Sequence, residues 1–123
     1  MKTDQALIEL SRASSKVAAL TRAIGEAMKC SYEAQTANGG TYTDWIELAY
    51  KVERVEDEWG RPHWRHANHD NDVDGYLADH CPHAMVAHRL IQERKEARKV
   101  LGIAMRRVPV IANRLAREAM GAA

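Results

Sequence analysis

The six histidines of this 123-residue chain lie close together and have the clearest capacity for chemistry. They occupy positions 63, 66, 69, 80, 83 and 88, and Cys81 lies among them. Neutral imidazole and thiolate are the ligands that zinc prefers in proteins. The composition of this segment therefore favours a transition-metal site with zinc as the cofactor.

The spacing of these residues indicates which of them would bind the metal. Cys81 and His88 are two helical turns apart, about 10 Å, so a shared ion requires Cys81 to fold inward. We predict a tetrahedral set of Cys81, His83, His88 and a histidine from the preceding loop, His69. The competing interpretation is that the histidines cap helices, pack beside Trp side chains or lie in solvent.

Two other motifs in the same segment are weaker. Asp70, Asp72 and Asp74, followed by Gly75, match the start of a calcium-binding loop, but Cys81 stands where the bidentate Glu should be, which favours a solvated acidic turn. Residues 66–69 (HANH) suggest a metal-dependent nuclease, but the surrounding pattern lacks the strands and the open metal position that this chemistry needs. We therefore predict that the protein is not an enzyme.

The charges are unevenly distributed along the chain, although the formal net charge is only +1. Residues 84–123 contain nine Lys and Arg but three Glu, whereas residues 1–83 are acidic overall. A basic helical stripe can neutralise phosphates, meet an acidic protein surface or simply be solvated. The predicted binding residues are Arg94, Arg98, Arg106 and Arg107.

Two long helices must position these residues. Apolar side chains recur at spacings of three and four, which predicts helices over about 4–37 and 82–120 that pair as an antiparallel hairpin. Pro109 should kink or divide the second helix near Val108. The predicted seam residues are Leu10, Ala13, Val17, Leu20, Ile24 and Ala27 in the first helix, and Leu90, Ala97, Leu101, Ala104, Val108, Ile111 and Leu115 in the second.

The segment between the long helices is harder to interpret. Trp45, Val55 and Trp59 fall on one face of a helix over about 44–59, with Thr43 as its cap, although alternation also permits a strand from Ile46 to Val52. We favour the helix. Residues 60–81 then form a His/Cys-rich connecting loop with one short helical turn near its end, and the predicted fold class is all-α.

Length and composition limit the class of protein. A chain of 123 residues that is 46% hydrophobic and 28% charged predicts one soluble globular domain. No apolar run approaches the 18 residues of a membrane span, so we expect no membrane partner. Two cysteines without an export signal predict a cytoplasmic location.

Residues 76–83 (YLADHCPH), together with residues 88–102 (HRLIQERKEARKVLG), carry a family resemblance. This part of the chain resembles small accessory proteins encoded by tailed phages and prophages. In that group a second Cys often follows the first by three residues, where this chain has Ala84. The resemblance implies a phage protein that acts in the cytoplasm of a bacterial host.

Two functions follow from these observations. The first is a non-enzymatic binding protein, stabilised by zinc, that docks on a host protein or protein complex and inhibits a defence or transcription component. The second is a small nucleic-acid-associated regulator that uses the Arg-rich C-terminal helix. The Ala-rich seams are also compatible with a homo-oligomer.

Overall fold

The computed structural model describes residues 3–122 and is mostly helical. The prediction of a helical protein with long N- and C-terminal helices is confirmed, but a two-stranded sheet shows that the fold is not purely all-α. The elements are α1 (Thr3–Thr36), a 3-10 turn (Ala37–Gly39), α2 (Trp45–Tyr50), β1 (Val52–Glu56), β2 (Pro62–His66), α3 (Val73–His80) and α4 (Pro82–Ala122).

The predicted helix over 44–59 is wrong beyond residue 50. Asp44 caps the start of helix α2, and its side chain accepts a hydrogen bond from the backbone N–H of Glu47. The helix ends at Tyr50, and the next residue, Lys51, is extended. Strands β1 and β2 then form an antiparallel hairpin in which Val52 faces His66 and Glu56 faces Pro62. The alternative of a strand from Ile46 to Val52 is also wrong, because residues 45–50 form α2 and only Val52 of that range lies in β1.

A tight turn explains why the chain reverses there. The Asp57 carboxylate accepts hydrogen bonds from the backbone N–H groups of Trp59 and Arg61, both at 2.9 Å. Gly60 supplies a positive φ of 73°, a conformation that costs glycine little. Trp59, expected on a buried helical face, is 74% exposed at this turn.

The predicted connecting loop over 60–81 contains regular structure. It holds β2 and also α3, an eight-residue helix where one short helical turn was expected. The side chain of Asp72 caps α3 by accepting a hydrogen bond from the backbone N–H of Gly75 at 2.9 Å. The acidic motif at residues 70–75 therefore supplies a helix cap.

Pro109 does not divide the last helix. Helix α4 runs from Pro82 to Ala122 with Pro109 inside it, so the predicted division near Val108 is wrong. A proline removes one backbone hydrogen bond from a helix. Helix α4 nevertheless continues past Pro109 to Ala122, and the kink that was the other expected effect stays a prediction.

The chain divides into two compact units. Unit 1 comprises residues 1–23 and 90–123 and therefore holds the first part of α1 and most of α4, whereas unit 2 comprises residues 24–89. The prediction of a single domain stays a prediction.

Unit 1 is an antiparallel pair of helical segments. Arg107 contacts Glu9 at 3.2 Å, and Arg94 contacts Thr21 at 3.4 Å. Residues later in α1 therefore contact residues earlier in α4, which shows that the two helical segments are antiparallel. Most of the predicted seam is buried or half-buried here, but Leu115 is 42% exposed. Buried positions recur every seven residues: Ala6, Ala13 and Leu20 in α1, and Ala97, Ala104 and Ile111 in α4.

Unit 2 has a small core of a different kind. Leu77 in α3 is completely buried and packs with Ala49, Cys81 and Ala84. Helices α2 and α3 contact each other around this cluster. Larger, partly buried side chains surround it: Trp45, Ile46, Val73, Tyr76 and Met85.

Candidate functional site

The predicted zinc ligand Cys81 is buried in unit 2, between α3 and α4. Its Sγ lies 3.4 Å from the Ser31 hydroxyl and 3.9 Å from Gln35 Nε2. Burial raises the pKa of the nearby Tyr42 phenol, with smaller contributions from the charges of Asp44 and Cys81. The thiol is therefore part of a buried polar cluster, whereas His83, two residues further along, is exposed.

Both ring nitrogens of His69 have backbone partners. Its Nδ1 accepts a hydrogen bond from the backbone N–H of Asp72 at 2.9 Å, which leaves the proton on Nε2. That Nε2–H donates to the carbonyl oxygen of Ala49 at 2.7 Å. In this arrangement the imidazole ties the segment after β2 to α2 and has no lone pair available for a metal.

The four predicted ligands do not meet at one point. Among residues 3–122, no three His, Cys, Asp or Glu side chains lie close enough together to hold a metal ion. The chemistry of the donors is nevertheless that of a zinc site. Zinc binding stays a prediction.

His88 is buried in α4 and lies beside a tyrosine and a carboxylate. The hydroxyl of Tyr50, the last residue of α2, is hydrogen-bonded to His88 Nε2. On the other side of the ring, Asp74 Oδ1 is 3.2 Å from His88 Nδ1. This distance is short enough for an ion pair, but the two groups are not aligned for a hydrogen bond. Three helices therefore bring these side chains together: α2 carries Tyr50, α3 carries Asp74 and α4 carries His88.

Other histidines of unit 2 stack on aromatic rings. His80 stacks on Trp45 with ring centroids 4.5 Å apart, and Tyr76 packs on the same imidazole at 4.5 Å. His66 stacks on His69 at 4.5 Å. These contacts match the competing interpretation, in which the histidines pack beside aromatic side chains.

An apolar groove runs between the two helical segments of unit 1. Small side chains from both helices, including Ala13, Ala97 and Ala104, line it. Val100 and Ile103 lie along the same groove and are 58% and 44% exposed. Its charged lining residues are Glu9, Arg12, Lys16, Glu93, Glu96 and Arg107.

The four predicted binding arginines lie on different surfaces of unit 1. Arg94 and Arg98 line a basic depression on α4 together with Ile91, Lys95 and Lys99. Arg107 lines the apolar groove instead and is paired with Glu9. Arg106 is exposed, and its guanidinium lies close to Gly102.

Two features of the site were missed by sequence reasoning. Val100 and Ile103 lie next to the predicted seam positions, so a wider helical stripe would have indicated the groove. The contact between Tyr50 and His88 joins residues 38 positions apart, and no local pattern signals it.

Comparisons of this chain with protein-family models, with curated proteins and with solved structures find no match. Within residues 3–122, no helix combines the length and the apolar character needed to span a membrane.

Proposed function

We propose that this protein is a non-enzymatic binding protein whose unit 1 groove receives an amphipathic helix of a partner protein. The observation that carries the proposal is the apolar groove itself, lined by exposed Val100 and Ile103 and bordered by charges of both signs. Protein partners commonly place the apolar face of a helix in such a groove.

The lining of the groove suits a helix. Ala13, Ala97 and Ala104 have short side chains, which let a third backbone approach closely. The apolar side chains of Val100 and Ile103 would lose contact with water when the groove is covered. Large residues such as Leu on the incoming helix would supply the volume that these alanines lack.

The charges around the groove specify the partner further. Arg12 and Lys16 lie on the α1 side, whereas Glu93 and Glu96 lie on the α4 side. The other two charged lining residues, Glu9 on α1 and Arg107 on α4, are paired with each other at 3.2 Å. A matching helix would carry acidic residues along one flank and basic residues along the other. A nucleic acid, whose backbone is uniformly negative, matches only one of these two sides.

The resemblance to tailed-phage proteins supports a host protein as the partner. A phage accessory protein acts inside a bacterial cell, and inhibition of a defence or transcription component would require a specific contact of this kind. In this proposal, zinc would stabilise the histidine-rich segment of unit 2.

Binding of designed helical peptides would test the groove directly. One peptide carries a Leu stripe with Glu on the flank that faces α1 and Lys on the flank that faces α4, and the control peptide has these charges exchanged. We expect the first peptide to bind more tightly in fluorescence anisotropy. Val100→Glu should weaken its binding about tenfold or more, because the carboxylate would be buried unpaired.

Val110→Glu is the matched control, since Val110 is exposed on α4 but does not line the groove. Analytical ultracentrifugation of the free protein tests whether the occupant of the groove is a second copy of the chain. If the free protein sediments as a dimer and V100E does not, self-association fills the groove. Equal binding of both peptides, or equal losses in V100E and V110E, would contradict the proposal.

A nucleic-acid-associated regulator is the second candidate. The observation that favours it is the depression where Arg94, Lys95, Arg98 and Lys99 lie together. Affinity for duplex DNA or RNA should then fall steeply with added salt, and Arg98→Ala should weaken binding more than Arg117→Ala. Affinity that is insensitive to salt would exclude this function.

A further inference from the structure

The β-hairpin of unit 2 leaves one edge of strand β1 without a backbone partner. The backbone N–H of Asp57 donates to the Arg61 carbonyl at 3.0 Å, and that of Ala67 donates to the Lys51 carbonyl at 2.9 Å. Because hydrogen-bonded and non-hydrogen-bonded pairs alternate in an antiparallel ladder, the odd-numbered residues of β1 bond to β2. The backbone N–H and C=O groups of the even-numbered residues, such as Arg54, therefore point to the opposite edge.

This free edge of β1 can accept another strand. Within residues 3–122 the sheet consists of β1 and β2 alone. The even-numbered residues of β1, which are Val52, Arg54 and Glu56, are exposed. Strand β1 contains no proline, whereas β2 begins with Pro62, which lacks a backbone donor. Unpaired edges of this kind are templates for pairing with another chain, and β1 is the better template of the two strands.

The charges of β1 indicate which strand fits this edge. We propose that the occupant is β1 of a second copy of this chain, in antiparallel orientation. When Val55 lies opposite Val55 of the second copy, Arg54 of each copy lies opposite Glu56 of the other. Opposite charges directly across an antiparallel pair stabilise it. Both residues also direct their backbone groups to this edge, so each Arg54–Glu56 pair would exchange two backbone hydrogen bonds.

The same charges disfavour the neighbouring registers. One of them places Arg54 opposite Arg54, and the other places Glu56 opposite Glu56. Like charges directly opposite each other destabilise a strand pair. Within the hairpin, Arg54 faces Trp64 and Glu56 faces Pro62, so neither charge has an opposite charge across from it on β2. The sequence of β1 therefore specifies one register of self-pairing, and this contact is independent of the groove in unit 1.

Disulfide cross-linking would trap this pairing even if it is weak. Val55→Cys places two thiols opposite each other, in a non-hydrogen-bonded pair whose Cα atoms are about 4.5 Å apart and within reach of a disulfide. Val52→Cys is the matched control, because Val52 is 49% exposed whereas Val55 is only half-buried. In the proposed register the two Val52 positions are about 20 Å apart, since they are offset by six residues along the strands.

Both variants would also carry Cys30→Ser, because Cys30 is an exposed thiol. Under mild oxidation we expect V55C to form linked dimers at least about tenfold faster than V52C, because only its thiols lie within reach of each other. Random collision would instead favour the more exposed position, Val52.

Charge reversal then tests the register. Arg54→Glu or Glu56→Arg, added to V55C, places like charges opposite each other in both cross-strand pairs, so each should slow cross-linking about tenfold. An equimolar mixture of the two proteins restores opposite charges in a mixed dimer. We expect this mixed dimer to form at close to the rate of V55C itself, and mass spectrometry identifies it. A structural defect in either variant would not be relieved by mixing.

Three results would overturn the proposal: equal cross-linking rates for V55C and V52C, no recovery in the mixture, or loss of the V55C cross-link in V100E. The last result would place the contact in the unit 1 groove instead. Circular dichroism checks that V55C is folded. If it is not, sedimentation of R54E, E56R and their mixture, each without the added cysteine, applies the same criterion: only the mixture should associate like the unaltered protein.

Discussion

Unit 2 and unit 1 bury apolar surface in different ways. In unit 2, α2 and α3 enclose Leu77, and the aromatic rings of Trp45 and Tyr76 surround that core. In unit 1, a single seam is buried and alanine supplies much of it. Both units also leave large apolar side chains exposed: Leu7, Ile8, Val100, Ile103, Met105, Val110, Leu115 and Met120 in unit 1, and Tyr32, Tyr50, Val52, Trp59, Trp64 and Val86 in unit 2.

The groove of unit 1 is the basis of our proposal that unit 1, rather than unit 2, receives the helix of a partner protein. A contiguous exposed apolar surface commonly marks a site of protein interaction. Unit 2 has a core that includes the largest fully buried side chain of residues 3–122, whereas unit 1 has a groove that a further helix could fill. We therefore expect mutations in the core of unit 2 to affect mainly stability and mutations along the unit 1 groove to affect mainly binding.

The largest expected effect is the loss of Leu77 from the core of unit 2. Leu77→Ala should lower the free energy of unfolding by about 2–5 kcal/mol, because the deleted methyl groups leave a cavity. Leu115→Ala in unit 1 is the matched control, and its cost should be smaller, about 1 kcal/mol, since Leu115 is 42% exposed. Urea denaturation measures both. Equal losses would remove the contrast between the units.

Overfilling the seam of unit 1 should have the next largest effect. Ala97 is buried between the two helices, so Ala97→Leu should destabilise the protein by about 1–3 kcal/mol. Ala112→Leu makes the same change at an exposed position of α4 and should be nearly neutral. If thermal unfolding shows that A97L is also neutral, the seam is looser than the alanine pattern indicates.

The turn of the β-hairpin should give unit 2 a dependence on pH. The pKa of Asp57 is lowered, chiefly by the hydrogen bond from the backbone N–H of Arg61 and also by those from Trp59 and the Arg61 side chain. A carboxyl with a lowered pKa in the folded state stabilises the fold above its unfolded pKa, about 3.9. That contribution is lost as the pH falls through the folded value.

Amide NMR signals of Trp59 and Arg61 would follow this loss. We expect them to shift together in acid as the turn opens, and Asp57→Asn should remove this part of the pH dependence. Glu58→Gln, at an exposed position of the same turn, is the control. If the acid-induced signal shifts persist in D57N, a group other than Asp57 causes them.

The smallest expected effect belongs to the ion pair of Glu9 and Arg107 in unit 1. Both side chains are about half exposed, and such pairs contribute about 0–1 kcal/mol. Glu9→Gln should therefore change the unfolding midpoint only slightly, and less at high salt. A loss as large as that of A97L would show that this pair, rather than the seam, stabilises the hairpin.

The sequence determined the two long helices and most of their seam. Heptad spacing of apolar residues depends on neighbours three or four positions away, so residues such as Ala13 and Ala104 could be assigned without any coordinates. The caps and turns were less certain: Asp44 rather than Thr43 caps α2, and the helix predicted to continue past Tyr50 gives way to a strand.

Only the tertiary structure decided which chemical groups meet. Strand β1 depends on pairing with β2 across a turn, and a five-residue segment has no periodicity long enough to indicate this. Likewise, the histidine cluster was visible in the sequence, but the hydrogen bond between Tyr50 and His88 and the backbone partners of His69 were not. The physical reason is that helical periodicity is set by local geometry, whereas side chains distant in sequence meet only when several elements pack together.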